Sequence, residues 1–158
     1  MKKFELTDEF VTNVFGHKLF RIKALVAFGD VEKGELGGFI EKEDNLSHDD
    51  NAWVFGDARV SGNARVSGNA QVFGNADYAV VAGFGRYFRT TTFFRCKDKI
   101  LRVQCGCFYG DLAQFREIVK KTHGDSKYAK EYLAIADLME LHFSDKCGGE
   151  QMNDGKIY

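Results

Sequence analysis

The stretch NAWVFG-DARVSG-NARVSG-NAQVFG, which runs from Asn51 to Gly74, decides the predicted fold. It repeats the six-residue unit Asn/Asp-Ala-x-Val-x-Gly, and the neighbouring hexads keep the same phase over residues 45–86. Ala and Val are two residues apart, so both side chains point to the same, buried side of an extended strand. The Gly-Asn or Gly-Asp step that follows tolerates a positive φ angle and lets the chain turn a corner. The pattern predicts short strands that stack with residues 18 apart in one column.

This repeat resembles the hexapeptide-repeat superfamily of left-handed β-helices. The resemblance rests on six consecutive hexads that keep both the Ala and the large apolar position. It implies a coil of three short strands, with each coil stacked on the one before. The predicted fold is therefore mainly β with some α: a short left-handed parallel β-helix between an N-terminal β cap and a C-terminal hairpin with two helices.

The segments around the repeat divide the chain into four predicted parts. These are a β cap over residues 1–44, the β-helix over residues 45–86, a β-hairpin and two-helix segment over residues 87–144, and a polar, flexible tail over residues 145–158. Asp111 and Gln114 form a capping box for the first helix, over Leu112–Thr122. The second helix is predicted over about Lys127–Phe143 from its apolar periodicity.

Large aromatic side chains are predicted at outward positions of the repeat. Phe55 and Phe73 are 18 residues apart, so they stack, and Trp53 lies two residues before Phe55. Exposed aromatic residues are typical of interfaces, although flanking segments of the same chain also cover such residues. We expect a homo-oligomer, a dimer or a trimer, assembled partly through Trp53, Phe55 and Phe73.

The predicted hairpin is strongly basic, although the whole chain has a net charge of −1. Residues 86–102 hold six cations and one acid, and the planar guanidinium of arginine suits phosphate or carboxylate. Arg95 is expected opposite Arg102, a like-charge pair that a bound anion would neutralise. The alternative is structural, with these arginines paired to the acidic segment 30–57 of the same or a neighbouring chain. The predicted anion-binding residues are Arg86, Arg89, Thr91, Arg95 and Arg102.

Catalytic and metal chemistry has less support in the sequence. His48 is the only histidine of the repeat and is predicted to point inward, whereas the general base of a hexapeptide-type acyltransferase faces a cleft. Cys105 and Cys107 would need two further ligands to hold zinc, and Cys147 lies in the tail. We assign no catalytic residue, no metal and no cofactor, and a small acyltransferase remains the alternative function.

The runs GELGGFIEKEDNLSHDDNAWVFG, NARVSGNA, TTTFFRCKD and CGCFYGDLAQF are similar to small uncharacterised proteins of phages and prophages. This similarity implies a setting, because small phage accessory proteins are often antagonists of host defence. It implies a non-enzymatic, phage-encoded binding protein that inhibits or sequesters a host component. The target is expected to be a nucleic-acid-guided complex such as CRISPR–Cas or a nucleotide immune signal, and direct nucleic-acid binding is the less favoured mode.

Composition and the chain ends give the expected compartment. Hydrophobic residues make up 44% of the chain and charged residues 28%, which is globular composition and excludes general disorder. The first residues lack the apolar core of a signal peptide, and no apolar run reaches the length of a membrane span. The protein is expected in the cytoplasm of a bacterial host cell.

Overall fold

The computed structural model describes residues 2–144, which form three sheets and two α-helices. The strands are β1 (Phe4–Thr12), β2 (Lys18–Ala24), β3 (Leu36–Ile40), β4 (Trp53–Val54), β5 (Arg59–Val60), β6 (Gln71–Val72), β7 (Tyr78–Phe84), β8 (Arg89–Arg95), β9 (Leu101–Cys105) and β10 (Phe108–Asp111). The helices are α1 (Leu112–His123) and α2 (Lys127–His142). The strand orders are β1-β2-β3-β5, β10-β9-β8-β7 and β4-β6.

The predicted left-handed parallel β-helix is wrong, because the long strands pair antiparallel in two separate sheets. β1, β2 and β3 pair antiparallel, and so do β7, β8, β9 and β10. In residues 2–144, parallel pairing is limited to two-residue contacts of β3 with β5 and β4 with β6, and to one bridge between Leu46 and Val66. The fold is mixed β with two helices.

The local alternation of the repeat is nevertheless as predicted. Ala and Val of the four hexads from Asn51 to Gly74 are buried, and Val54 pairs with Val72. Gly56, Gly62 and Gly68 turn the corners with φ angles of 58°, 65° and 69°. This segment forms the main hydrophobic core together with Phe4, Ile22 and Ile40, which are the inward side chains of the first sheet.

The repeat ends where its glycines no longer form corners with a positive φ angle. Gly74 is extended, with a φ of −170°, and a 3₁₀ turn over Asn75–Asp77 follows it. The next hexad has Val80 where the earlier hexads have glycine, so the chain continues straight as the seven-residue strand β7. A strand of this length pairs with β8 through a long antiparallel ladder, with one irregularity between Val81 and Phe84, whereas a two-residue strand makes only a short contact.

The C-terminal hairpin and both helices are confirmed. β8 and β9 form the hairpin, and β10 adds a third strand to it. Asp111 accepts from the backbone N–H of Gln114 at 2.8 Å, and Gln114 Oε1 accepts from the backbone N–H of Asp111 at 2.9 Å. Both helices pack on one face of the sheet, where Phe93 and Val103 meet Phe115 and other apolar side chains in a second core. Within residues 2–144, neither helix has the length and apolar character needed to cross a bilayer.

A buried asparagine joins the turn before the repeat to the hexads. Asn45 is fully buried. Its Oδ1 accepts from the backbone N–H groups of Glu41 at 3.0 Å and Lys42 at 2.9 Å. Its Nδ2 donates to the carbonyl oxygens of Gly62 at 3.1 Å and Ala64 at 2.9 Å. All four side-chain hydrogen-bonding positions are therefore used.

The amino-terminal strand is held in the core by a buried lysine. Lys3 is 3% exposed, and its ammonium donates to the carbonyl oxygens of Asp50 at 2.8 Å and Ala52 at 2.7 Å. The ammonium also lies 4.5 Å from the centre of the Phe28 ring. Burial lowers the pKa of Lys3 to about 8, against the opposing effect of the Asp50 carboxylate. The contacts fix the first strand to the beginning of the repeat.

The predicted flexible tail over residues 145–158 lies outside the described residues, and Cys147 lies there too.

Candidate anion-binding site

The sheet β7–β10 separates the predicted arginine cluster into different places. Arg95 pairs with Leu101 and Arg102 pairs with Phe94, so the prediction that the two arginines face each other is wrong by one residue. Because side chains alternate along a strand, Arg95 lies on the helix side of the sheet and Arg102 on the repeat side. These two cations therefore do not share one site.

Arg95 and Arg102 have local partners. The Nε of Arg95 lies 3.4 Å from Asp77 Oδ1, and its guanidinium lies 5.2 Å from the centre of the Phe143 ring. Arg102 donates to Asp98 at 2.8 Å, and this hydrogen bond raises the pKa of Arg102. Both acids lie outside the acidic segment, so the predicted pairing with residues 30–57 of the same chain is wrong for these two ion pairs.

Most acids of segment 30–57 that form ion pairs do so with cations of the first 21 residues, namely Lys2, Lys3, His17 and Arg21. Among the cations of the basic hairpin, Lys97 does reach this segment, and its Nζ lies 2.9 Å from Asp30 Oδ2. Thr91 is buried and donates to Cys105 Sγ at 3.2 Å, which removes its hydroxyl from the surface. Of the predicted anion-binding residues, Arg86 and Arg89 remain exposed.

Arg86 lies in the loop between β7 and β8, and Arg89 is the first residue of β8. Phe84 pairs with Arg89, so the loop consists of residues 85–88. The guanidinium of Arg86 lies 5.1 Å from the centre of the Tyr128 ring on α2, and that of Arg89 lies 5.5 Å from the Tyr87 ring. Aromatic faces attract cations electrostatically, so both arginines are oriented without losing their charge to a carboxylate.

Arg89 lines a cavity of about 280 Å³ between the hairpin and the repeat, and it also lines a smaller cavity beside Tyr132 on the helix side of the sheet. Gly106 provides room for it, because a Cβ at this position would lie 3.0 Å from Arg89 Nη1. The residues that line the cavity are Lys42, Asp44, Asn63, Ala64, Arg65, Arg89, Thr90 and Gly106. Three of these side chains are cationic and one is acidic, so the cavity is positive.

Arg65 comes to this cavity from the repeat. Its neighbours Ala64 and Val66 are buried, so the alternation of the strand turns Arg65 outward. Its backbone N–H donates to Thr92 Oγ1 at 3.0 Å, which holds this part of the repeat against β8. The side chains of Arg65 and Arg89 form no hydrogen bond or ion pair with a carboxylate of residues 2–144.

Lys42 completes the positive wall of the cavity. Its Nζ donates to Asn63 Oδ1 at 2.7 Å, a neutral partner that leaves the charge uncompensated. The sequence interpretation missed Lys42, Asn63, Arg65 and Thr90 as site residues. The available signal was the arginine that two consecutive hexads, DARVSG and NARVSG, have at their outward position.

A larger groove of about 710 Å³ adjoins the cavity and shares Asp44, Arg65 and Gly106 with it. His48 and Glu43 lie along this groove, 3.1 Å apart between Nε2 and Oε1. The hydrogen bond from Lys2 holds the pKa of Glu43 below its usual value, and the bond to His48 adds to the effect.

His48 does not have the geometry of a general base. Its Nδ1 accepts from the backbone N–H of Lys3 at 3.0 Å, so Nε2 carries the proton that Glu43 accepts. The ring also stacks on Phe4, with centroids 4.1 Å apart. With both nitrogens engaged, no lone pair is directed toward a substrate in the groove.

The predicted aromatic interface is only partly at the surface. Trp53 is fully buried between Phe4 and Phe28, so flanking segments of the same chain cover it, as the alternative had it, and it is not part of an exposed surface. Phe55 and Phe73 stack with centroids 4.4 Å apart, as expected from their 18-residue spacing. Phe55 is half-buried against the core, and Phe73 is 60% exposed.

The cysteines and acids do not gather into a metal site in the described part of the chain. No group of three or more His, Cys, Asp or Glu side chains in residues 2–144 has an arrangement that would hold a metal ion. Cys96, Cys105 and Cys107 are free thiols, of which Cys96 is buried and Cys107 is exposed.

Known proteins supply no further assignment for this site. No family model matches the chain, and no curated protein matches it significantly in sequence.

Proposed function

We propose that the protein is a non-enzymatic binding protein that takes an anionic partner in the cavity between Lys42, Arg65 and Arg89. The observation that carries this proposal is the pair Arg65 and Arg89, which line one cavity without a carboxylate partner in residues 2–144. Cations brought together repel each other, and a phosphate or carboxylate placed between them removes that repulsion. Thr90 and Asn63 add polar groups for orienting such a ligand.

The state of His48 supports a binding role over acyl transfer. A hexapeptide-type acyltransferase needs a histidine that accepts a proton from a hydroxyl or amine. Here the two ring nitrogens are hydrogen-bonded to Lys3 and Glu43, and His48 does not line the cavity proposed for the anion.

The biological setting of the proposal rests on the resemblance to phage and prophage proteins. In that setting the partner would be a host defence component, either a nucleic-acid-guided complex or a nucleotide signal. Both carry phosphate groups, so both fit the chemistry of the cavity.

Reversing the two unpaired charges tests the proposal. Arg65→Glu together with Arg89→Glu is expected to weaken binding of inorganic polyphosphate, measured by titration calorimetry, by at least about 100-fold. Both side chains are exposed, so the melting temperature of the double variant should stay close to that of the wild type. An unchanged affinity in the double variant would overturn the proposal.

The repeat supplies a matched control for this experiment. Arg59 occupies the same hexad position as Arg65 and is also exposed, but it does not line the cavity. Arg59→Glu should therefore leave polyphosphate affinity within about twofold of wild type, apart from a small long-range charge effect. Equal losses in Arg59→Glu and Arg65→Glu would show that binding is not confined to the cavity.

We also propose that the chain forms a homo-oligomer through the surface around Phe73. Phe73 is 60% exposed and stacked on Phe55, which gives a rigid apolar anchor of the kind found at interfaces. Phe73→Ser is expected to raise the dissociation constant of the oligomer about tenfold or more, seen as a lower mass by light scattering. Phe15→Ser, at another exposed phenylalanine, is the control. A wild-type chain that remains monomeric at high concentration contradicts this prediction.

A further inference from the structure

The loop beside the cavity projects two aromatic side chains into solvent. Tyr87 is 69% exposed and Phe88 is 70% exposed. They follow Arg86 and precede Arg89, so the two adjacent rings have a cation on each side. The apolar surface of these neighbouring rings is removed from water only when a partner covers it.

The first half of this loop is fixed to α2. The backbone N–H of Gly85 donates to Glu131 at 2.9 Å, and the guanidinium of Arg86 lies over the Tyr128 ring. Gly85 has a φ of +80°, and a Cβ on it would collide with Tyr132. The second half of the loop therefore projects from a rigid base.

The projecting half also contains backbone strain. Phe88 has a φ of 55°, a left-handed conformation that is unfavourable for a residue with a Cβ. Its ring is largely exposed, so burial of Phe88 in the folded chain does not offset this strain. Strained residues of this kind are concentrated at binding sites.

We propose that the anionic partner is a single-stranded nucleic acid, whose phosphates bind at Lys42, Arg65 and Arg89 and whose bases stack on Tyr87 and Phe88. This inference rests on the proposed function and adds the class of partner. The ring of Tyr87 adjoins the guanidinium of Arg89, which lines the cavity, so a phosphate and a neighbouring base would meet the two groups together. Arginines next to aromatic rings form the usual binding surface for unpaired strands.

The exposed rings favour a single strand over a duplex. In a duplex the faces of the bases are stacked on one another, whereas an unpaired strand can place them on protein side chains. The ligand is expected to be bound without strong sequence preference, because every base has a flat face.

Direct binding measurements test the inference. Fluorescence anisotropy with a labelled oligonucleotide of about 12 residues should show binding that weakens about 20-fold between about 50 and about 200 mM salt, as expected for three phosphate contacts on a single strand. A duplex of the same sequence should bind at least about tenfold more weakly.

The aromatic loop has its own variant. Tyr87→Ala with Phe88→Ala should weaken oligonucleotide binding about tenfold or more, and it should weaken polyphosphate binding at least about threefold less than that, since Tyr87 affects polyphosphate only through the orientation of Arg89. Phe15→Ala removes an exposed ring at the β1–β2 turn and should change neither ligand's affinity. Thermal melting of each variant checks that the fold is retained.

The outcomes separate the two proposals. If polyphosphate binds but the duplex binds as tightly as the single strand, or the aromatic double variant binds the oligonucleotide normally, the single-strand inference is wrong and the anion cavity stands. If neither polyphosphate nor oligonucleotide binds, the proposed function and the inference are both wrong.

Discussion

Val66→Asp is expected to abolish folding. Val66 is 1% exposed in the main core, where it bridges Leu46 across two parallel segments. An ionised carboxylate in such a place costs several kcal/mol of stability, which is comparable to the roughly 5–15 kcal/mol that stabilises a whole domain. Circular dichroism should show loss of the native spectrum, or a cooperative melting transition displaced far below that of the wild type.

The same substitution at an exposed valine is the control for Val66→Asp. Val14 lies in the turn between β1 and β2 and is 93% exposed. Val14→Asp should change the free energy of unfolding by less than about 0.5 kcal/mol. A natively melting Val66→Asp protein would contradict the assignment of this hexad to the core.

Asn45→Ala is expected to lower the free energy of unfolding by about 4 kcal/mol, since four hydrogen bonds are lost at about 1 kcal/mol each. The loss leaves the N–H group of Lys42 and the carbonyls of Gly62 and Ala64 without this partner, whereas the N–H group of Glu41 keeps the carbonyl of Val60 at 3.1 Å. Urea unfolding measures this change as a lower midpoint at an unchanged slope.

Two further variants give the asparagine experiment its controls. Asn51 is exposed, and its side chain forms no hydrogen bond within residues 2–144. Asn51→Ala should therefore change the free energy of unfolding by less than about 0.5 kcal/mol. Asn45→Asp keeps both acceptor contacts but loses both donor contacts and buries a charge, so it should also be strongly destabilising. A mild effect of Asn45→Asp would mean that the two carbonyls find other donors.

The local structure of the repeat was predictable because it depends on neighbours in the sequence. Alternation of Ala and Val fixes which side chains are buried, and glycine fixes the corners at Gly56, Gly62 and Gly68. The same reasoning correctly located α1 through its capping box.

The fold class was not predictable from that pattern, because it depends on which long strands pair. Two-residue strands contribute few hydrogen bonds, so the extended flanking strands decide the sheets. Val80 replaces a corner glycine, so the last hexads continue as the long strand β7, which belongs to the second sheet. Its effect depends on β8, a partner that the repeat itself does not contain.

The site was predicted in part for a related reason. A cluster of cations in the sequence marked the hairpin, but alternation along the strands sends Arg95 and Arg102 to opposite faces. A one-residue error in the hairpin register was enough to place Arg95 and Arg102 wrongly on the same face of the sheet. Arg65 and Lys42 join Arg89 through tertiary packing, and no spacing along the chain indicates this.

The buried Lys3 has a consequence for the order in which the chain folds during synthesis. Its two carbonyl partners are 47 and 49 residues further along the chain. The hairpin of β1 and β2 needs only neighbouring residues, but its final attachment must wait until Ala52 has left the ribosome. Until then an incomplete chain presents the apolar side of this hairpin, with Phe4 and Ile22 uncovered, to every other molecule around the ribosome. The nascent chain is thus most vulnerable to aggregation while the first hexads are being made.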